Sequence, residues 1–307
     1  MKKPARRLGA YLDLLGLPRP GEPGLEAFRA LHRAHVERIA YENLDIQLGR
    51  PRGIDPAGSI RAILSGRGGS CYNLNGAFSE LLAALGYRVT RHRGEVHGRL
   101  DAPDPAGYGN HMALTVELDG RRWMADVGLG NAHHEPMPLA EGEHRQGPFA
   151  FRLARDRWAQ SAPTPTGTAD TGPAQHWRFT HDPALKSFHG MAFTLAPAAW
   201  RDFQPRYREL STAPDSHLVR VAQLFRRDPD GFDSLVACSL TRVEQGGVRM
   251  HRELSTADDW FGAAESVFGL RLGEVTREDR NRLWPRLRAQ QQAVQAKKAA
   301  KAASAGL

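Results

Sequence analysis

Residues 67–75 read Arg-Gly-Gly-Ser-Cys-Tyr-Asn-Leu-Asn, and the rest of the chain is organised around this stretch. Apolar side chains then recur at helical spacing: Leu74, Phe78, Leu81, Leu82 and Leu85. The spacing predicts a helix of about four turns that begins near Cys71 and ends at Gly86. A thiol in the first turn lies at the positive end of the helix dipole, which favours the nucleophilic thiolate. The alternative for Cys71 is an ordinary buried cysteine.

The length and the cysteine count limit the class of protein. The 307 residues are enough for about two domains, or three small ones. Two cysteines, Cys71 and Cys238, form no disulfide framework, and metal-site spacings are absent, so we expect a reducing, cytoplasmic setting without a metal. No uninterrupted apolar run reaches membrane-spanning length, and we read the N-terminal segment as a helix rather than a signal peptide.

The charge balance permits two kinds of partner. The chain has 42 Lys and Arg against 34 Asp and Glu, a net charge of +8, which suits either nucleic acid or a small polyanionic substrate. Much of the excess lies near the C-terminus, at Arg280, Arg282, Arg286, Arg288, Lys297, Lys298 and Lys301. The other arginines are scattered among acidic residues without interleaved aromatics. We therefore expect neither nucleic acid nor a membrane as partner.

The secondary-structure pattern divides the chain into regions. Residues 1–86 carry helical periodicity, including a short helix with Ser59 as N-cap, and predict a helical domain containing Cys71. Strand patterns dominate from Tyr87 onward. Two later strands are predicted at Val219–Phe225 and Ser234–Arg242. Residues 289–307 form a basic Ala/Gln/Lys tail, predicted to be either a solvated helix or disordered.

A hairpin signal lies in the middle of the chain. His111–Leu118 alternates between apolar and other residues, and Asp119-Gly120 follows as a two-residue turn signal. Arg121–Val127 is then the returning strand. These features predict an antiparallel pair with a tight turn.

The turn fixes the register of this hairpin. With a two-residue turn, Leu118 pairs with Arg121, and counting outward puts His111 and Asp126 on the same face as diagonal neighbours. Diagonal neighbours are about 7–8 Å apart at the backbone, which an imidazole and a carboxylate can span. The sequence therefore predicts a hydrogen bond between His111 and Asp126.

A thiol, an imidazole and a carboxylate make a catalytic triad available. His111 can accept the proton of Cys71, and Asp126 can fix the ring tautomer and stabilise the imidazolium. Each residue alone is open to a structural interpretation: a buried cysteine, a strand histidine and a strand-end carboxylate. Together they favour nucleophilic catalysis.

These residues resemble those of the arylamine N-acetyltransferase family. The stretch around Cys71 resembles the family motif R-G-G-x-C-x-E-x-N, and Glu42-Asn43-Leu44-Asp45 resembles part of its P-F-E-N-L-D segment. His111 and Asp126 fall where the other two triad members lie. The segments that match are 42–45, 48–51, 67–75, 111–114, 126–130, 210–216 and 268–270.

The resemblance implies an α+β fold of three domains and a ping-pong acyl transfer. The domains would be a helical domain (1–86), an antiparallel β-barrel-like domain with His and Asp (87–196) and an α/β lid (197–288), with a cysteine-protease-like core. Acetyl-CoA, or another acyl-coenzyme A, would acylate Cys71, and an arylamine, arylhydrazine or N-hydroxyarylamine would accept the acyl group. Gly128 and Gly130 match the turn that lies near the pyrophosphate of coenzyme A in relatives.

The sequence departs from the family motif at Asn73, where the family usually has glutamate, and Ala40 and Tyr41 stand for the usual Pro and Phe. The three triad residues match the family pattern, but the departure leaves the identity of the substrate undetermined. One alternative is an amide synthase of natural-product biosynthesis that takes its acyl chain from an acyl carrier protein. A second is a non-catalytic basic binding module.

Overall fold

The structure is a computed structural model that describes residues 2–97, 109–155, 176–185 and 188–305. The helices are α1 (Lys2–Leu15), α2 (Leu25–Arg38), α3 (Leu44–Gln47), α4 (Pro56–Leu64), α5 (Cys71–Ala84), α6 (Gln204–Thr212), α7 (His217–Arg220), α8 (Ala257–Ser266) and α9 (Arg277–Ala305). The strands are β1 (Tyr41–Glu42), β2 (Arg88–His97), β3 (His111–Leu118), β4 (Arg121–Met124), β5 (Met137–Pro138), β6 (Gly142–Gln146), β7 (Phe149–Arg155), β8 (His176–Thr180), β9 (Gly190–Pro197), β10 (Gln223–Arg227), β11 (Gly231–Val236), β12 (Ser239–Glu244) and β13 (Gly247–Glu253).

Helix α5 runs through the centre of the N-terminal core. It begins at Cys71, as predicted, because Ser70 adopts an extended N-cap conformation. Its end is set by Gly86, whose φ of +91° is a conformation that glycine adopts without steric cost. Every residue from Cys71 to Ser79 is buried, so the helix has no solvent-facing side over its first two turns. Helices α1, α2 and α4 and strand β3 contribute to the apolar cluster around it.

Eight antiparallel strands form a second layer in the order β5-β4-β3-β2-β9-β8-β7-β6. Met137 of β5 and Phe149 and Phe151 of β7 belong to one apolar cluster, although they lie toward opposite ends of this order. The sheet must therefore curl on itself, which gives the barrel-like form expected for the middle of the chain. All eight strands lie between residues 88 and 197.

The hairpin of β3 and β4 has the predicted register. Leu118 pairs with Arg121 and Thr115 with Met124. Asp119 and Gly120 have φ values of 51° and 69°, which is the type I′ turn that suits the twist of two-residue hairpins. The pairing extends past the strand, because the N–H of Ala125 donates to the carbonyl of Leu114 at 3.0 Å.

A five-stranded sheet, in the order β1-β10-β11-β12-β13, joins the beginning of the chain to its last third. Tyr41 of β1 pairs with Phe225 of β10. The predicted strand Val219–Phe225 is wrong at its start, since α7 continues to Arg220 and β10 begins at Gln223.

The predicted single strand Ser234–Arg242 is also wrong, because the chain turns within it. Strand β11 ends at Val236, Ala237 adopts a φ of 50°, and β12 starts at Ser239. Leu235, Ala237 and Cys238 are all fully buried, so apolar residues continue through the turn and hide it in the sequence.

Helix α9 extends into the tail predicted at residues 289–307, for which a helix was one of the two predictions. It continues as helix to Ala305, and Gln291 is buried in it, donating from Nε2 to Ser239 Oγ and Glu253 Oε2, each at 3.0 Å. The start of the predicted tail is therefore bound to the five-stranded sheet. Among the helices of the described residues, none is long and apolar enough to cross a membrane.

A buried arginine holds the approach to α5. Arg67 is 2% exposed, and its Nη2 lies 2.9 Å from Glu42 Oε1 and 3.0 Å from Asp45 Oδ1. Its Nη1 binds Glu274, which lies beyond α8 in the chain. Since a buried charge is costly unless paired, this cation fixes three separate segments together.

We predict that Arg67→Met lowers the free energy of unfolding by about 3–5 kcal/mol, because it leaves the carboxylate of Glu42 buried without its main partner. Chemical denaturation measures the change. The control is Arg50→Met, which removes a half-exposed arginine 3.0 Å from Asp279 and should cost less than about 1 kcal/mol. Equal losses in the two variants would contradict the prediction.

Candidate active site

Cys71 occupies the first helical position of α5 in an apolar surrounding. It is 7% exposed and shares a cluster with Tyr72, Met112 and Phe203. Its Sγ lies 3.8 Å from the carbonyl oxygen of Asn110. The backbone N–H groups of Cys71 and Tyr72 have no acceptor among the described residues, as expected for the first turn of a helix. These donors and the helix dipole favour negative charge at this position.

His111 and Asp126 form the hydrogen bond predicted from the hairpin. Nε2 of His111 lies 2.6 Å from Oδ2 of Asp126, and both residues are 2% exposed. Since Nε2 faces the carboxylate, the other ring nitrogen is left for Cys71, whose Sγ lies beside Asn110, the residue that precedes His111. The three predicted site residues are thus brought together.

The charges of this site support one another. Burial alone lowers the pKa of His111, but the Asp126 carboxylate and then Cys71 outweigh burial and raise that pKa from 6.5 to about 10. Burial likewise raises the pKa of Asp126, yet the His111 cation and the hydrogen bonds from His111 and Asn75 bring it below the ordinary value. The site therefore favours an imidazolium at His111 paired with the carboxylate of Asp126.

Asn75 holds the carboxylate in place, a role that the sequence did not assign to it. Its Nδ2 donates to Asp126 Oδ1 at 2.7 Å and to the carbonyl of Met112 at 2.6 Å. Its Oδ1 accepts from the N–H of Val127 at 2.9 Å. The available signal was the spacing: residue 75 lies four positions after Cys71, on the same face of a helix.

Asn73, the departure from the family motif, is a structural residue of the helix start. Its Oδ1 accepts from the N–H and the Oγ of Ser70, at 3.2 and 2.9 Å, and completes the N-terminal cap. Its Nδ2 donates to the carbonyl of Gly53 and to Ser59 Oγ, each at 3.1 Å. An ionised glutamate has no donor for these two contacts.

The prediction of Ser59 as an N-cap is wrong. Helix α4 begins at Pro56, and its N-cap is Asp55, whose carboxylate accepts from the N–H of Gly58 at 2.8 Å. Ser59 lies in the first turn, where its hydroxyl receives the Asn73 amide. The signal for the earlier start was Asp55-Pro56, since aspartate is a favoured N-cap and proline a favourable first residue of a helix.

At Gly128 and Gly130 the backbone approaches its neighbours so closely that a side chain would collide with them. A Cβ on Gly128 would lie 2.8 Å from Cα of Cys71, and the N–H of Gly128 donates to Asp126 Oδ1 at 2.9 Å. That amide is therefore already engaged. Gly130 has a φ of +77°, and a Cβ there would lie 2.9 Å from Cβ of Phe225.

Asp126 is adjacent to a group of neutral histidines that no pattern in the sequence indicated. Nε2 of His133 accepts from the N–H of Asp126 at 3.3 Å, and its ring stacks on His32 at 5.1 Å between centroids. Burial holds the pKa of His133 well below 6.5 and lowers those of His32 and His181 to about 4. These three rings are therefore neutral at neutral pH.

This geometry suits the class of enzymes in which a base activates a cysteine thiol. Comparison narrows the class. The sequence model of the N-acetyltransferase family matches residues 24–277. The chain therefore belongs to the arylamine N-acetyltransferase family and is a transferase.

Individual relatives agree with this assignment. The arylamine N-acetyltransferase / N-hydroxyarylamine O-acetyltransferase of Salmonella typhimurium is 37% identical over 272 residues, covering 87% of this chain and 90% of that protein. The arylamine N-acetyltransferase structure from Mycobacterium abscessus is similar with a TM-score of 0.77, at 26% identity, over 91% of this chain and 94% of that one. The Mycobacterium marinum enzyme in complex with CoA gives 0.75, at 27% identity, over 91% and 98%. The α+β fold class is thereby confirmed.

We predict that Asn75→Ala lowers the free energy of unfolding by about 2–4 kcal/mol, because buried groups of Met112, Asp126 and Val127 lose their partner. It should also slow alkylation of Cys71 by iodoacetamide, since His111 loses a fixed carboxylate. Ser79→Ala, which removes a buried hydroxyl from the same helix, is the control and should leave the alkylation rate unchanged. Normal alkylation in Asn75→Ala would contradict the role given to Asn75.

We also predict acid instability below pH 6.5. A buried histidine with a lowered pKa binds its proton only in the unfolded chain, so stability is full above pH 6.5 and falls as the pH approaches 4. His32, His92 and His181 each have a pKa of about 4, and together give a slope of up to about 4 kcal/mol per pH unit.

Denaturation at a series of pH values measures this slope. His35→Gln removes a further buried histidine with a lowered pKa and should reduce the slope. A free energy of unfolding that stays constant between pH 6.5 and 4 would show that these rings accept protons in the folded protein.

Proposed function

We propose that this transferase moves an acetyl or other short acyl group from acyl-coenzyme A, through a thioester on Cys71, to an arylamine, arylhydrazine or N-hydroxyarylamine. The observation that carries the proposal is the hydrogen bond that fixes the His111 ring to Asp126, with the Cys71 thiol against Asn110, the residue that precedes His111. The relatives named above act on arylamines and N-hydroxyarylamines by their names, and one of them was solved with CoA.

The reaction has two halves. His111 takes the proton of Cys71, the thiolate attacks the acyl carbonyl carbon, and the carbon–sulfur bond to coenzyme A breaks as the imidazolium returns its proton to the leaving thiol. In the second half the amine nitrogen attacks the thioester, His111 accepts its proton, and the Cys71 sulfur leaves. The free N–H groups of Cys71 and Tyr72 stabilise the oxyanion of both tetrahedral intermediates.

The turn after Asp126 suits the phosphates of coenzyme A in part. The N–H groups of Leu129 and Gly130 have no acceptor among the described residues, so a pyrophosphate can take them. Gly128 was predicted for the same role, and its own N–H donates to Asp126 Oδ1 at 2.9 Å. We therefore propose Gly130 as the phosphate-side glycine and Gly128 as the residue that lets the turn approach Cys71.

Asn73 gives no support to the alternative of an amide synthase that uses an acyl carrier protein. Its hydrogen bonds explain the departure locally, through Ser70, Gly53 and Ser59, without a change at the thiol. A donor of the coenzyme A type also agrees with the relatives. Because the chain belongs to a family of transferases, the alternative of a non-catalytic basic binding module is disfavoured.

We further propose that the three predicted regions act as domains. Phe203 and Tyr207 of the third region pack in the cluster that contains Cys71, which suits a lid over the thiol. The cytoplasmic setting stays a prediction from the cysteine content.

Mass spectrometry after incubation with acetyl-coenzyme A tests the first half-reaction. We expect the wild-type chain to gain one acetyl group, and Cys71→Ala to gain none and lose activity by at least about 10³-fold with its fold intact. Cys238→Ala is the matched control, because Cys238 is the other cysteine and is fully buried in the third region. Acetylation that persists in Cys71→Ala would refute the proposal, as would no adduct with any short acyl-coenzyme A.

A further inference from the structure

Three tyrosines surround the Cys71 thiol, and two of their hydroxyls are already engaged. Tyr72 and Tyr207 belong to the apolar cluster of Cys71, and Tyr41 packs against that cluster. The hydroxyl of Tyr72 donates to the carbonyl of Gly109 at 2.6 Å. The hydroxyl of Tyr207 donates to the carbonyl of Arg52 at 2.5 Å. These two hydrogen bonds hold the rings in place, and each hydroxyl proton is therefore not available to a ligand.

The hydroxyl of Tyr41 has no hydrogen-bond partner among the described residues. Unlike Tyr72, which is fully buried, Tyr41 is of intermediate burial. Of the three tyrosines that pack with Cys71, Tyr41 is the one whose hydroxyl is not used by another described residue. A polar group in this position is free to recognise a ligand.

The backbone fixes Tyr41 firmly. It pairs with Phe225 in the five-stranded sheet, and its ring lies 5.7 Å from the ring of that residue. On its other side it forms a parallel bridge with Gly69, two residues before Cys71. A Cβ on Gly130 would lie 3.1 Å from Cβ of Tyr41, so the turn after Asp126 also closes against it. The ring therefore has a defined place beside the thiol.

The Tyr41 hydroxyl remains a donor at all physiological pH values. Burial of the oxygen raises its pKa above the ordinary value of 10, and the nearby Cys71 and Glu42 raise the pKa further. A neutral phenol can donate one hydrogen bond and accept others. It can therefore bind a small group that carries a lone pair, an N–H or an O–H.

We propose that Tyr41 is a specificity-determining residue whose hydroxyl binds the second heteroatom of hydrazine and hydroxylamine acceptors. This inference rests on the proposed acyl transfer through Cys71. In such acceptors a nitrogen or oxygen is bonded directly to the attacking nitrogen, so it lies within a bond length of the reacting centre. A plain arylamine has only ring carbon at that position and gains nothing from the hydroxyl.

The test compares phenylhydrazine with aniline, which present the same ring with and without the second heteroatom. We expect Tyr41→Phe to lower kcat/KM for phenylhydrazine by about three- to tenfold more than kcat/KM for aniline, as the loss of one neutral hydrogen bond implies. The control is Tyr207→Phe, which removes a hydroxyl that is bound to Arg52 and should leave the ratio of the two acceptors as in the wild type.

A prior measurement separates failure of this proposal from failure of acyl transfer itself. Release of nitrophenolate from p-nitrophenyl acetate reports formation of the Cys71 thioester before any acceptor is added. If the wild-type chain gives no such burst, the acyl-transfer proposal fails, and the role of Tyr41 fails with it.

With the burst present, an acceptor ratio that changes less than twofold in Tyr41→Phe would overturn the role of Tyr41 alone. Equal loss for both acceptors would overturn it too, since the hydroxyl would then act on the thioester rather than on the acceptor. A larger loss for phenylhydrazine, with thermal unfolding of the variant close to that of the wild type, supports it.

Discussion

The hydrogen bonds of Asn75 are the constraint on which the rest of the site depends. Helix α5 and the β3–β4 hairpin each form from local signals, but neither fixes where the other lies. Asn75 binds Asp126 and Met112 with one amide group and receives Val127 with its oxygen, and it is fully buried. Any shift of the helix against the hairpin leaves buried polar groups without partners, which costs more than the bonds themselves contribute. The distance between Cys71 and His111 is set by this condition.

The two histidines that flank Asp126 show how position decides charge. His111 faces the carboxylate oxygen, so protonation creates an ion pair and its pKa rises. His133 faces the backbone N–H of the same residue, and its nitrogen must stay unprotonated to accept that bond. Burial then holds His133 neutral. One aspartate thus carries a charged ring on its oxygen side and an uncharged ring on its amide side, which keeps the negative charge directed at His111.

Local patterns predicted the elements and the register but not the contacts between elements. The start of α5 followed from the helical spacing of apolar residues, and the pairing of Leu118 with Arg121 followed from a two-residue turn. Both depend on neighbouring residues alone. The Asn75 clamp and the stacking of His133 on His32 join segments far apart in the chain, so they depend on packing angles that no periodicity encodes. The turn at Ala237 was missed because its residues are as apolar as the strands around it.

The pairing of β1 with β10 affects the order in which parts of the protein fold during synthesis. Tyr41 leaves the ribosome early, but its strand partner Phe225 is synthesised only after both the helical region and the eight-stranded sheet. The entropy of closing so long a loop makes this contact a late one in folding. Phe203, Tyr207 and Leu210 cover Cys71 from the same late segment. Cys71, helix α5 and the β3–β4 hairpin are therefore synthesised before the apolar residues that pack over the thiol. Those residues complete the site only after its reactive groups are already present in the nascent chain.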